Sequence, residues 1–558
     1  MVKRLLGLVG KEISDIHDAA YLLALFTFAS QILGLLRDRM LAHFFGASGS
    51  LDVYYAAFRI PDLIFVSIGS LVSVSVLIPF LQTKLKEGEK PLKDFIDSVF
   101  TSFSLLIIFV SLTAFFFISP IIKNLFRDLG PEKITEIIVL SKILLLSPVF
   151  LGISNLFASI TQSYRRFLLY ALCPLVYNVS IIFGIVFLRP QFGLSGIIYG
   201  VVLGAFLHAL IQLPFLFKMK LIPDFVFPVN FKSVSKVFLL SIPRTATLSV
   251  GSLAIAILLS LASKMPTGSI SIFNFSYNLQ AVPMSIIGIS YSMAAFPLLS
   301  TLYLNGEKKK FLEHITVATR HIIFLSLPVM GLFIVLRAQI VRTVLGSGNF
   351  SWNDTKLTAA CFALFSISAV AQSLVLLFVR AYYASGFTKR PLFINVFSSL
   401  MIILFSYGFF EIFKFFPKVF SFFENLFKVA GVPGSEVIAL PLGFSLGTIL
   451  NLIIFLFIFE KDYKGFTKSI KKTAFEGLAS AVFAGFGAYI ALNIFDKVFD
   501  INTLKGIFMQ GFLSGLCGIA VAVFVLKILD SKELKDASTT LHRKIWKAPV
   551  VTPNQIEL

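Results

Sequence analysis

The chain has 558 residues, 57% of them apolar and 14% charged, with a net charge of +20 and a mean hydropathy of +0.89. Soluble domains carry about 25% charged residues, whereas here apolar runs of roughly 20 residues, each long enough to cross about 30 Å of hydrocarbon, recur from end to end. The composition excludes a soluble globular protein and specifies an all-α polytopic membrane protein. The lead-in, residues 1–18, is basic, but its apolar core is too short for a signal peptide and no small-residue cleavage site follows. It reads as a cytoplasmic segment. Fourteen spans follow, near residues 19–45, 51–83, 94–121, 134–162, 168–188, 193–217 and 235–262, then 269–303, 312–337, 354–385, 391–413, 437–460, 472–495 and 505–529. An even count puts both termini on one side.

Loop charge orients the chain. The terminus-side loops include KLKEGEK after the second span, YRRF after the fourth and KKK at Lys308 to Lys310. With the termini they hold about 28 Lys and Arg against about 12 opposite, which places both termini in the cytoplasm. The excess positive charge is an orientation signal, and it removes the case for nucleic acid.

The spans divide into blocks. IGSLVSVSVLIPFL, with Gly69 before Pro79, is echoed by IGISYSMAAFPLL, with Gly288 before Pro297. Each is the second span of a six-helix block, and repeated blocks are a recurrent transporter design with the substrate site between them. The expected architecture is an N-terminal lobe over 19–220, a C-terminal lobe over 221–461, a central cavity, two additional helices over 462–530, and a basic cytoplasmic tail over 531–558. The tail is expected to be mobile near anionic lipid. Phe415 to Gly431 is rich in Phe and reads as a short amphipathic helix at the outer interface.

Charges inside spans are the strongest functional signal. Arg or Asp at a helix centre costs roughly 2.5–3.5 kcal/mol on insertion scales, so such residues face a water-filled cavity, pair together or lie near an end. Ser30, Gly34 and Arg37 fall on one face of the first span by 3–4 spacing, and Gln31, Gly34 and Asp38 overlap it. Arg59 precedes Pro61, Arg244 follows Pro243, and Arg380 lies late in the tenth span. Two readings stand open: side chains snorkelling from near an interface, or a cationic cavity in which Arg37, Arg59 and Arg244 bind an anion. Arginine suits phosphate because its planar fork donates two parallel hydrogen bonds.

The residues that carry these charges also carry a resemblance. The run Ser30-x-x-x-Gly34-x-x-Arg37-Asp38, then FFGAS, then Asp52-x-Tyr-Tyr-x-Ala-Phe-Arg59-Ile-Pro61-Asp62 resembles the start of the MurJ/MviN lipid II flippase family. The stretches Ile242 to Leu299 and Val344 to Pro391 agree, and the similarity covers nearly the whole chain. The resemblance implies a fold of the multidrug/oligosaccharidyl-lipid/polysaccharide exporter type. It also implies export of lipid II, the undecaprenyl-pyrophosphate-linked peptidoglycan precursor, from inner to outer leaflet of a bacterial inner membrane by alternating access. It implies a substrate-binding set of Ser30, Gln31, Arg37, Asp38, Asp52, Arg59, Arg244 and Asn278, and structural or hinge positions at Gly34, Pro61, Pro243 and Pro283. The last two helices, with AGFGA (Ala484 to Ala488) and GFLSG (Gly511 to Gly515), would line a lipid-tail groove, although small residues equally serve close packing. Implied partners are lipid II, membrane lipids and cell-wall synthesis proteins. The chain departs from the family at three positions where arginine is common: Gln31, Phe65 and Asn278. Arg244 and Arg39 are candidates to compensate.

No cofactor is expected. Cys173, Cys361 and Cys517 fall in separate apolar segments, the six histidines are scattered, and no HExxH, P-loop or GxSxG occurs. That argues against a membrane enzyme and against a metal site. The interiors of spans 7 and 11 hold no Asp or Glu, so no strong sodium site is expected there. Two alternatives remain beside a lipid II flippase: a flippase for another polyprenyl-linked saccharide, and a transport-inactive scaffold relative.

Overall fold

A computed structural model describes residues 16–72, 74–164 and 166–546, with the side chains of 16–24, 74, 75, 233 and 540–546 left out. The lead-in up to residue 15 and the tail from residue 547 lie outside the described residues. The helices run in chain order as α1 (Ile16–Phe45), α2 (Gly49–Ala57), α3 (Arg59–Ser67), α4 (Val74–Glu87), α5 (Glu89–Leu125), α6 (Pro131–Leu144), α7 (Leu146–Ser163), α8 (Phe167–Phe183) and α9 (Leu194–Leu210). After a connector come α10 (Phe231–Ala262), α11 (Ser269–Pro283), α12 (Ser290–Leu304), α13 (Lys308–Val335), α14 (Arg337–Leu345), α15 (Trp352–Ala384), α16 (Lys389–Phe415), α17 (Pro417–Phe427) and α18 (Ala439–Asp462). Then follow α19 (Phe466–Phe495), α20 (Leu504–Ile528) and α21 (Lys532–Trp546). There is no strand among the described residues.

Twelve helices among the described residues are long and apolar enough to cross a bilayer. The pair Gly49–Ser67 and Gly69–Glu87, bent by 41°, would add a thirteenth. The described residues thus support twelve to thirteen of the fourteen expected spans. The first expected span corresponds to α1, whose side chains before residue 25 are not described. Apolar side chains such as Phe116, Phe457 and Val482 stand largely exposed, as they do when the surrounding solvent is hydrocarbon.

Several expected continuous spans are interrupted, two of them near prolines of the hinge set. Residues 51–83 divide into α2, α3, a 3₁₀ turn at Gly69–Val72 and α4. Pro61 lies in the first turn of α3, where its missing N–H would have no helical partner anyway. Residues 269–303 divide at Pro283, after which Met284–Ile289 runs as a π-helical segment before α12. Proline frees a carbonyl one turn back, and a π-bulge is one way the chain absorbs that defect.

The helices group into two compact units. The first contains the described residues up to Val282, with Val341–Ser368 and Gly386–Asn451. Its apolar core includes Phe95, Val99 and Phe103 of α5 with Leu156 and Ile160 of α7. Glycine permits close helix contact: a Cβ on Gly184 would come within 2.9 Å of the Gly200 backbone. The connector Leu221–Asn230 is strapped along one face of α5. The Lys93 ammonium donates to Asp97 at 2.6 Å, the Ile222 carbonyl at 2.7 Å and Asp224 at 2.6 Å. The Asp97 carboxylate accepts from the Asp224 N–H at 2.9 Å, and the Thr101 hydroxyl from the Val226 N–H at 3.0 Å. The predicted amphipathic helix is present as α17, with Phe413–Phe420 and Phe409–Phe423 ring pairs tying it to α16.

The second unit contains Pro283–Ile340, Ala369–Ser385 and the described residues from Leu452 onward. Here α13, α19 and α20 meet through small residues. Leu332, Leu336, Ala484, Ala488 and Ala522 form a buried cluster, and a Cβ on Gly331 would collide with the Ala481 backbone. Ala484, Gly485 and Ala488 therefore serve packing between helices. The segment after Asp530 was expected to be mobile; its described part is α21, pinned by the Glu533 carboxylate, which accepts from Thr473 at 2.9 Å and Ser531 at 3.3 Å. Glu533 is nearly inaccessible to solvent, so this is an anchor rather than a surface contact.

Candidate functional site

The polar face of α1 is the centre of a charge and amide cluster inside the first unit. Arg37 and Asp38 are adjacent in sequence, and both project onto this face. Arg37 Nε and Nη2 donate to Asp38 Oδ1 at 3.0 and 2.8 Å. Asp38 is 3% exposed, so its charge is balanced by neighbours and not by bulk water. Asn278 of α11 donates from Nδ2 to the other carboxylate oxygen, Oδ2, at 3.0 Å. Arg37 Nη1 donates to Asn178 Oδ1 of α8 at 3.4 Å, and Asn178 Nδ2 in turn reaches Ser30 Oγ at 3.2 Å. A buried ion pair is tolerated only when its remaining donors and acceptors are matched, and these amides do the matching.

Arg59 forms a second centre at the start of α3. Its Nε donates to the Tyr55 carbonyl at 3.1 Å and its Nη2 to Asn274 Oδ1 at 3.4 Å, with Asp62 at 3.9 Å. Asn274 and Asn278 are one turn apart on α11, so one helix face supplies an amide to each centre. The Asp62 side chain is about half exposed and the Arg59 side chain 15% exposed. Gly34 lies one turn before Arg37 on the same face, and a Cβ built there would meet nothing within 4 Å. Open space therefore lies over α1 at Gly34, one turn before the Arg37–Asp38 pair. A site built from two arginines, two acids and three carboxamides beside that space can bind an oxyanion and hold it without a metal.

The structure brings Ser30, Arg37, Asp38 and Asn278 into one network. Gln31 of α1 is half-buried, and Arg244 is half-buried inside α10, one residue after Pro243. Beside it, Thr245 bonds Ser70 at 3.0 Å, and Ser241 donates to the Leu71 carbonyl at 2.8 Å, so this part of α10 is tied to the turn that follows α3. Asp52 is placed differently from the arginine cluster. Its carboxylate accepts from the Gly268 N–H at 2.6 Å, the Ser271 N–H at 2.8 Å and the Ser271 hydroxyl at 2.7 Å. It caps the N-terminus of α11, where carboxylates are favoured, and thereby fastens α2 to α11. Arg39 donates to the Thr343 and Val344 carbonyls at 2.6 and 3.1 Å, which satisfies the C-terminal end of α14. Nearby, the Asn349 side chain donates to the Phe44 carbonyl at 2.7 Å. These contacts make a seam at the C-terminal end of α1.

Two participants, Asn178 and Asn274, were not among the sequence candidates. A carboxamide within an apolar span was the available signal, weaker than a charge because it costs less to bury.

The sequence profile described as "Lipid II flippase MurJ" matches residues 41–509. The chain belongs to the MurJ family. Curated relatives named probable lipid II flippase MurJ include one from Buchnera aphidicola subsp. Acyrthosiphon pisum (strain APS), 28% identical over 389 residues, covering 68% of this chain and 75% of the relative. Another, from Thermotoga maritima, is 28% identical over 382 residues, covering 68% and 76%. The protein from Burkholderia cenocepacia, named lipid II flippase MurJ, is 24% identical over 377 residues, covering 66% and 73%. Among solved structures, a MurJ described as being in an inward closed conformation superposes with a TM-score of 0.70 at 22% identity, covering 93% of this chain and all of that one. An inward-facing MATE family transporter of the MOP superfamily gives a TM-score of 0.63 at 14% identity, covering 79% of this chain and 96% of the transporter. These likenesses establish the fold of this chain, and its family with its apolar helices makes it a multi-pass membrane protein.

Proposed function

We propose that this MurJ-family chain is a lipid II flippase that moves the undecaprenyl-pyrophosphate-linked precursor from the inner to the outer leaflet of a bacterial inner membrane. The observation that carries the reading is the family match over residues 41–509, which includes Arg59 of α3 and the α11 amides and begins three residues after Asp38 of the α1 charge pair. The diphosphate is the most anionic part of the ligand nearest the bilayer, and Arg37 and Arg59 supply planar guanidinium groups for it. Asn278 stands where the family commonly has arginine, and here it carries Asp38. The head-group set is proposed as Arg37 and Arg59 in direct contact, with Gln31 and Arg244 as further polar wall and Ser30, Asp38 and Asn278 holding the guanidinium. Asp52 would act through the seam, by fastening α2 to α11.

The blocks 19–220 and 221–461 are proposed to rock about this site while the polyprenyl tail stays in the bilayer beside residues 462–530. Gly34 gives the space, Pro61 and Pro283 lie at the breaks of their spans, and Pro243 is a proposed hinge within the continuous α10. Both termini are cytoplasmic in this reading, supported by the Lys and Arg excess in the loops on that side. The membrane potential can bias a charged head group at about 2.3 kcal/mol per charge per 100 mV. The reading assigns no chemical step to the chain.

Complementation tests it. A strain depleted of its own lipid II flippase should grow when this chain is expressed, and Arg37→Ala at equal membrane abundance should not restore growth. Failure of the wild-type chain to rescue, with abundance confirmed, would move the substrate to another polyprenyl-linked saccharide or leave a transport-inactive relative.

A further inference from the structure

The Arg37 guanidinium carries five N–H donors. Asp38 takes the Nε–H and one Nη2–H, and Asn178 takes one Nη1–H. One N–H is left on each terminal nitrogen, the pair that a planar fork offers to two oxygens of one phosphate. The Arg37 side chain retains 23% exposure while that of Asp38 has 5%, so the guanidinium is the more accessible member of the pair. Asp38 alone fixes one edge of the group and leaves the terminal nitrogen Nη1 without a partner from the chain. Asn178 supplies it. The amide is itself held in one orientation: its Nδ2 donates to Ser30 Oγ at 3.2 Å and to the Pro174 carbonyl at 3.1 Å, which turns Oδ1 toward Arg37. A carboxamide does this without adding negative charge, so the guanidinium stays available to an anion.

We propose that Asn178 is a positioning residue for the anionic head group, setting the rotation of Arg37 so that its two remaining terminal N–H groups face the open space beside Gly34. The inference rests on the proposed head-group site. It differs from a direct ligand role because Asn178 acts only through Arg37.

A double-mutant cycle tests it, using native mass spectrometry of the full chain in detergent with undecaprenyl pyrophosphate and, separately, lipid II. Asn178→Ala in the wild-type background should weaken undecaprenyl pyrophosphate binding about tenfold with an unchanged thermal unfolding midpoint. Arg37→Lys keeps the charge but has no fork to orient, so adding Asn178→Ala to it should change binding less than twofold. Ser30→Ala removes the brace on the amide and should give a smaller loss of the same kind, again absent beside Arg37→Lys; it serves if Asn178→Ala fails to fold. Equal losses in both backgrounds would overturn the positioning role and leave the lipid II reading intact. A cycle that behaves as stated, in a wild-type chain showing no preference for lipid II over undecaprenyl pyrophosphate, would sustain the positioning role and count against the lipid II reading.

Discussion

Replacing Asp52 tests whether the carboxylate fastens α2 to α11 or belongs to the ligand. In the structure it accepts three hydrogen bonds of 2.6 to 2.8 Å from Gly268 and Ser271, and Asp52 is 2% exposed. Asp52→Ala strands two backbone N–H groups at the start of α11 in a place water does not reach. Leaving a buried donor unsatisfied costs about 1–3 kcal/mol, and for the two together we take about 3 kcal/mol. At about 1.4 kcal/mol per factor of ten, local opening of this helix start should become roughly 100-fold more frequent. Asp52→Asn keeps one acceptor oxygen and points an amide N–H at a donor, so its effect should fall between wild type and alanine. Hydrogen exchange of peptides spanning residues 263–275, followed by mass spectrometry, reads this opening directly. Exchange in Asp52→Ala matching wild type would refute the seam and return Asp52 to the candidate ligands.

Further outcomes follow from other contacts. Gly34→Ala should be tolerated, because its Cβ meets nothing, whereas Gly34→Trp should fill the space, abolish complementation and leave membrane abundance and the thermal midpoint unchanged. Lys93→Ala removes a side chain whose three donors each have an acceptor; amide exchange across residues 221–230 should accelerate at least tenfold, while peptides in the core of α5 and α7 stay protected. Gly443→Leu drives a side chain into the Ser406 backbone of α16; overpacking of this kind costs about 1–3 kcal/mol or more, seen as a lowered unfolding midpoint. Glu533→Gln weakens the anchor of α21 on Thr473, and limited proteolysis should then cut within 532–546 sooner than in wild type.

Much of this fold was legible because hydrocarbon is a demanding solvent. Runs such as the one over 94–121 admit few alternatives to a spanning helix, and Arg37 and Asp38 stood out because a charge there needs an explanation. The prolines at 61 and 283 stood as hinge positions while their spans read as continuous: a bent pair and a π-helical segment depend on what the neighbouring helices leave room for. The partners of the charges were harder. Asn178 is about 140 residues from Arg37 in sequence, and no local spacing connects α8 or α11 to α1. Asp52 was ambiguous for a physical reason, since an acid near a span end fits a cavity wall and a helix cap equally well until its donors, Gly268 and Ser271, are placed. The small residues of 484–488 were ambiguous in the same way, and the packing of α13, α19 and α20 shows what they touch.

Reconstitution of the wild-type chain and Arg37→Ala into liposomes, followed by the rate at which fluorescent lipid II becomes accessible on the opposite leaflet, tests the central claim most directly. The account predicts translocation by the wild-type chain that exceeds protein-free liposomes and falls to that background in Arg37→Ala. Wild-type translocation no faster than protein-free liposomes, or an Arg37→Ala rate equal to wild type, would contradict it.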